Sequence, residues 1–299
     1  MANEIVLLIR QKTCYEIPGI VKTEVGREYE VYDLINVGGN AVVHECLDRL
    51  SGETYAIKFQ VELGKNRPQR FAQEVELLRA FDDPHIIGYV GHGAVKGTRQ
   101  QVNSPRARGR AGGSPLRVDQ IPFVILHRAS NSLSDLVRER SSLSPAEYLG
   151  QFVGLTKALV KINATALHRD IKPENVLVMG DTWLISDFGL CDVLGAEADL
   201  SGENEKIGPI FWMSPEALNR RLGCEDEICQ ASDVFQLASV FWYAACGRHP
   251  SGIVEQDDWS GPEEVFPVLH QALAHDPSRR FNTSAEFSAA LLDAIGVAD

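Results

Sequence analysis

No stretch of the sequence approaches the ~20 consecutive apolar residues that a membrane-spanning helix needs. The run Ile5–Ile9 is far too short, follows Glu4 and has no basic region ahead of it, so it is not a signal peptide either. A short buried strand is its better reading. Cysteine is sparse: six residues, at 14, 46, 191, 224, 229 and 246, with no CxxC pair. That excludes a disulfide scaffold and points to a reducing, cytoplasmic setting with free thiols. Cys224 and Cys229 have no His or Cys partners at metal-site spacing. Basic charge is also in deficit. The net charge of −12 argues against a whole-molecule nucleic-acid binder and against a polybasic membrane protein. No internal repeat is visible.

What is present is ordinary globular composition, 44% apolar and 23% charged, in 299 residues, enough for two domains or one large bilobal unit. Residues 1–126 carry 16 basic and 15 acidic side chains, whereas 127–299 carry 13 and 26. The acidic second half suits a basic peptide partner; solubility alone explains it equally well.

Residues 28–62 read as three strands, EYEVYDLI, AVVHECLD and TYAIKFQV, rich in β-branched and aromatic residues and separated by NVGGN and by a turn at Ser51-Gly52. In PQRFAQEVELLRAF (68–81) the period changes to that of a helix, with Phe71, Val75 and Leu78 on one face. IIGYVGHGAV and IPFVILHRA follow as further strands. Between them, residues 96–119 hold six basic groups against one acid and almost no large apolar residue, the mark of an exposed insertion. It serves either as a docking loop for an anionic partner or as a tolerated hairpin expansion. From about 132 the pattern is helical. Ser144 and Pro145 suit an N-cap and a first turn, and SDVFQLASVFWYAACG is apolar nearly all round, as a central buried helix is.

The chemistry is concentrated in His168-Arg169-Asp170-Ile171-Lys172-Pro173-Glu174-Asn175, with Asp187-Phe188-Gly189 twelve residues after Asn175. Upstream, Ala56-Ile57-Lys58 ends a strand and Glu74 lies on the next helix. Downstream stands Ser214-Pro215-Glu216. In order, spacing and context the chain resembles the eukaryotic-like (Hanks-type) serine/threonine protein kinases over residues 28–292.

That resemblance implies an α+β, bilobal protein-kinase-like fold: a small β-rich N-lobe with one helix (28–126) carrying the 96–119 insertion, and a larger helical C-lobe (127–292). Residues 1–27 are then an N-terminal extension with a short strand, and 293–299 a tail. It implies ATP and Mg²⁺, a protein substrate and autophosphorylation; the charge and the lack of a spanning segment leave neither nucleic acid nor membrane as an expected partner, and the oligomeric state stays open. Catalysis of this kind is mostly positioning and electrostatics. Lys58 would supply charge to the α- and β-phosphates, with Glu74 pinning it. Asp170 would accept or orient the substrate hydroxyl proton, and Lys172, typical of Ser/Thr-type members, would stabilise the transferring group. Asn175 and Asp187 offer hard oxygens to Mg²⁺. Asn36, Gly38, Gly39 and Val43 correspond to the phosphate loop. Val43 and Ala56 would cover the adenine, Ile125 would back its pocket, and Leu126–Arg128 would form the connector. His168 and Phe188 would join a stack with Leu78. Asp233 would anchor the catalytic-loop backbone, and Glu216 with Arg280 would form a structural ion pair.

The chain departs from the family at three points. Of the three glycines of G-x-G-x-x-G only Gly38 remains, with Asn36 and Ala41 at the flanking positions and Gly39 extra. The activation segment (187–216) has Ser201 as its one hydroxyl between Gly189 and Met213, amid Asp192, Glu197, Asp199, Glu203 and Glu205. A loop carboxylate or phospho-Ser201 could therefore receive Arg169; an Arg169 paired elsewhere is the other reading. Gly208-Pro209 stands where a Gly-Thr is common. An active Ser/Thr kinase, a pseudokinase acting as a scaffold, and a small-molecule phosphotransferase all remain open. The intact Lys58, Glu74, Asp170, Asn175 and Asp187 favour the first, as an enzyme that stands alone.

Overall fold

A computed structural model describes residues 4–11, 13–64, 66–100, 117–141, 143–195 and 210–296. The chain divides into two compact units, Met1–Arg79 with Gly88–Arg128, and Ala80–Ile87 with Ala129–Asp299. The α+β division expected from the sequence is present, with strands dominating the first unit and helices the second.

The first unit holds β1 (Ile5–Arg10), β2 (Thr13–Pro18), β3 (Ile20–Lys22), β4 (Glu28–Val37), β5 (Ala41–Asp48), β6 (Thr54–Gln60), α1 (Arg67–Ala80, its last residue passing into the second unit), β7 (Tyr89–Gln100) and β8 (Val118–Leu126). The strands form one sheet in the order β1-β2-β7-β8-β6-β5-β4-β3, with all neighbouring strands antiparallel. β2 and β3 are consecutive in the chain yet lie near opposite ends of that order, so the sheet curls strongly. Glu24 N–H, just past β3, donates to His92 O on β7 at 3.0 Å.

Inside the curl lies an apolar core to which Leu8, Ile17, Val31, Val42, Ile57, Phe59, Val95, Ile121, Phe123 and Ile125 contribute. Strand alternation sorts the residues. On β1, Val6 and Leu8 face this core while Ile5, Leu7 and Ile9 are exposed. Residues 5–22, read from the sequence as an extension with one short buried strand, thus supply three strands. The run IVLLI is apolar in both phases, which hides the fact that only one face is covered.

In the second unit, β9 (Asn131–Ser132) leads into α2 (Leu133–Arg140). Then come α3 (Pro145–Asn163), β10 (Ala166–Leu167), β11 (Val176–Met179), β12 (Thr182–Ile185), β13 (Asp192–Val193), α4 (Pro215–Arg221), α5 (Gln230–Cys246), α6 (Phe266–Ala272) and α7 (Ser284–Ile295). Ser144 and Glu147 form a capping box at the start of α3, satisfying orphan amides there. α5 is buried along nearly its whole length. Phe241 on α5 stacks on Phe152 of α3 with ring centroids 3.9 Å apart.

The short segment 80–87 belongs to this unit. Ile87 N–H donates to Ile185 O at 3.0 Å, and Ile185 N–H to His85 O at 2.8 Å. The His85 ring, held by Nδ1 against Trp183 O at 2.8 Å, fills the space over Gly154 of α3.

Candidate active site

In the first unit the sheet register collects the expected nucleotide residues on one face. Side chains opposite each other across neighbouring strands share a face. Asn36, Val43, Lys58 and Val124 make one rung across β4, β5, β6 and β8, and Glu45, Ala56 and Leu126 make the next across β5, β6 and β8. Lys58 Nζ donates to Glu74 Oε1 at 2.6 Å, with the two side chains 14% and 3% exposed. A carboxylate so placed fixes the ammonium in direction.

Ile125, expected to back the adenine pocket, points instead into the apolar core opposite Ile57. Val124, one residue earlier, shares the face of Lys58. Pairing phase decides this, and FVIL does not reveal its phase. The connector holds Leu126 on that face, His127 with its N–H on Gly88 O at 2.9 Å, and Arg128 paired to Glu45 at 2.8 Å. Glu45 was not foreseen; its place two residues after Val43 is the signal that could have found it.

The loop between β4 and β5 is a tight turn. Gly38 N–H donates to Ala41 O at 2.9 Å, and Asn36 Oδ1 accepts from Val37 N–H at 2.8 Å. A Cβ on Gly39 would meet nothing within 4 Å, and one on Gly38 would meet only Ala41 O at 3.6 Å. The protein's own packing therefore does not demand either glycine. Open space over the turn fits a group approaching from outside, such as a phosphate.

In the second unit the catalytic-loop residues converge. Asp170 accepts from Lys172 Nζ at 3.0 and 3.2 Å and from Asn175 Nδ2 at 2.8 Å. Asn175 Nδ2 also donates to Asp170 O at 2.8 Å, so its Oδ1 is the side-chain atom left to bind a cation. Ser186 donates to Asn175 O through both N–H (2.9 Å) and Oγ (2.8 Å), which brings Asp187 beside it. Burial, aided by the Asp187 charge and opposed by Lys172, pushes the Asp170 carboxyl up to about 6.

Among the described residues no group of three His, Cys, Asp or Glu side chains could hold a metal. Mg²⁺ takes one or two protein oxygens and completes its shell with phosphate and water. Asn175 and Asp187 would hold it. When bound, Mg²⁺ neutralises charge on phosphate oxygens.

The backbone of this loop is fastened from α5. Asp233, fully buried, accepts from His168 N–H at 2.8 Å, Arg169 N–H at 2.9 Å and Asn163 Nδ2 at 2.8 Å. Gln236 Oε1 accepts from Ile171 N–H at 3.2 Å. Gln236 had no signal beyond its place three residues after Asp233, and Asn163, 70 residues before Asp233, had none. These anchors hold Arg169 at φ 67°, and Asp187 stands at φ 64°, a left-handed conformation that costs a non-glycine residue on the order of 1–3 kcal/mol. The His168 ring lies edge-on to Phe188 with centroids 5.1 Å apart, and Phe81 joins Phe188 at 5.4 Å. Burial holds the His168 imidazole below its ordinary pKa, hence neutral.

The Arg169 side chain, 4% exposed, pairs with Asp192 on β13. Of the two partners the sequence offered, the carboxylate is thus seated. Ser201, Glu197, Asp199, Glu203, Glu205 and Gly208-Pro209 lie outside the described residues, as does most of the 96–119 insertion. Glu216 and Arg280 form a bidentate pair at 2.9 Å on each arm, 2% and 0% exposed.

Comparison with known proteins gives the same pattern. Residues 29–293 match the protein kinase domain. The chain is 30% identical over 266 residues to the serine/threonine-protein kinase AfsK of Streptomyces griseus, covering 83% of this chain and 29% of that protein. It is 24% identical over 294 residues to the serine/threonine-protein kinase PknE of Mycobacterium tuberculosis (91% and 47%). Similarity to the serine/threonine-protein kinase PrkC of Bacillus subtilis is 22% over 294 residues (90% and 41%). The chain spans less than half the length of these curated relatives.

Proposed function

Because the chain belongs to the protein kinase domain family, we propose that it transfers the γ-phosphoryl group of Mg-ATP to a serine or threonine hydroxyl of a protein, and to itself. The observation that carries this is Asp170, a carboxylate gripped by Lys172 and Asn175 at hydrogen-bond distance. Lys172 and Asn175 fix its direction. A carboxyl raised to about 6 is ionised at neutral pH yet basic enough to take a hydroxyl proton late in transfer. Lys172 offers positive charge to the moving group. Lys58, held by Glu74, offers it to the phosphates that stay behind. The sequence carries Lys58, Glu74, Asp170, Asn175 and Asp187, the five residue types the family uses for metal and phosphate chemistry, which supports an enzyme over a scaffold.

Three finer readings accompany this. The acidic half of the chain suits substrates basic around the acceptor, and nucleic acid is not a partner. Location is cytoplasmic: all six cysteines are free, and among the described residues no helix is long and apolar enough to cross a membrane.

The test is intact-mass spectrometry after incubation with Mg-ATP and a generic basic protein, with Asp170→Asn alongside. Mass gain in the wild type and none in the variant is the expected outcome. No gain in either, despite Mg-ATP binding, would make the protein a pseudokinase.

A further inference from the structure

The N-terminal strand reaches the phosphate loop. On β1 the core-facing row Val6, Leu8 continues to Arg10, whose side chain is only 12% exposed. Its Nε donates to Gly38 O at 3.2 Å, and the same guanidinium pairs with Glu62. Glu62 is itself tied in: Thr13 Oγ1 donates to its carboxylate at 3.4 Å, and Gln60 Nε2 to its carbonyl at 2.9 Å. The amides of Val61 and Glu62 both donate to Asn40 O at 3.2 Å. Arg10 therefore holds the β4–β5 turn at Gly38 directly and at Asn40 through Glu62.

The direction of this grip matters. Carbonyl and amide of one trans peptide point opposite ways. Arg10 belongs to the core-side row, whereas Lys58 and Val43 lie on the other face of the sheet. A Gly38 carbonyl turned to Arg10 turns the Gly39 N–H away from the core, toward the face of Lys58. The Val37 and Gly38 amides are already used within the turn; among the described residues the Gly39 and Asn40 amides have no acceptor. A glycine pair left loose would lose conformational freedom each time a phosphate bound, and a fixed turn avoids that loss.

We propose that Arg10 is a positioning residue for nucleotide binding, which orients the Gly39 amide toward the phosphates by holding the Gly38 carbonyl. The proposal rests on the ATP-binding reading above and assigns part of it to the strand that precedes the family domain.

Calorimetric titration of the full chain with Mg-ATP and with adenosine tests it, using Arg10→Lys and a melting curve as a folding control. Lysine keeps a charge for Glu62 but loses the second, directed donor. The expected result is a Kd for Mg-ATP raised about 3–10-fold, the size of one hydrogen bond, with adenosine affinity unchanged. In turnover, KM for ATP rises and kcat holds. Equal losses for ATP and adenosine, or an unchanged Mg-ATP affinity, overturn the assignment. A folded wild type that binds no Mg-ATP would sink the kinase reading and this one with it. A wild type that binds Mg-ATP beside an indifferent Arg10→Lys sinks this one alone.

Discussion

Asn175 donates to Asp170 twice through one amide nitrogen, to its main-chain carbonyl and to its Oδ2, each at 2.8 Å. The proposed base and the proposed metal ligand are thus a single rigid piece. Even so, the carboxylate sits uneasily, because burial and Asp187 together outweigh Lys172.

The strain of Asp170 predicts a stability change. A folded-state pKa near 6 lies above the unfolded value, so the native chain binds the extra proton. Stability from this group is present at pH 4 and is lost as pH rises toward 6. Asp170→Asn mimics the protonated form. It should abolish phosphoryl transfer yet raise the melting temperature at pH 7.5 by a few degrees, on the order of 1–3 kcal/mol, with the gain vanishing near pH 4. Melting curves of both proteins across that range decide it; a gain independent of pH contradicts the assignment.

Lys58 and Glu74 should separate stability from activity. Glu74→Leu leaves an enclosed ammonium without this carboxylate and should cost about 3–5 kcal/mol. The Lys58→Met/Glu74→Leu pair should be more stable than Glu74→Leu alone, because the enclosed ammonium is removed together with this carboxylate. Both variants should lose at least ~100-fold in kcat/KM for ATP, since neither keeps a positive charge at position 58 directed by Glu74. Urea denaturation and steady-state kinetics together provide the check.

The pair of Arg169 with Asp192 predicts independence from a loop phosphate. Protein treated with phosphatase, and Ser201→Ala, should keep full turnover. Asp192→Ala should reduce kcat about 10-fold or more with little change in KM for ATP, because the buried guanidinium loses its carboxylate. Restored turnover only after phosphorylation of wild-type protein would reverse this view.

Gly154 is predicted to be irreplaceable for steric reasons. A Cβ there would lie 2.0 Å from His85 Nε2, and that ring is fixed by Trp183. Gly154→Ala should destabilise by about 1–3 kcal/mol, despite the better helix propensity of alanine. His85→Ala in the same chain should recover part of the loss in thermal melts.

Much of this was legible before any coordinates. HRD-x-K-x-x-N, DFG and the Lys58–Glu74 spacing are short-range patterns whose chemistry dictates residue type. The strands at 28–62 and the helices from 132 onward announce themselves by period. Ile125 was misplaced by one position, because in FVIL every residue is apolar and only the pairing of Lys58 with Val124 sets the phase. The His85–Gly154 contact joins residues 69 apart, and Arg10 meets Gly38 across a sheet that curls. Neither separation leaves a local trace in sequence.

The excursion of residues 80–87 limits how this molecule can be taken apart. Ile86 and Ile87, 3% and 1% exposed, lie in the body completed by residues 129–296, although they are flanked in the chain by α1 and β7 of the other. A gene split after Arg128 would strand both isoleucines, and the His85 contact over Gly154, on the wrong fragment. A two-piece complementation assay would need a duplicated 80–87 segment on the second piece.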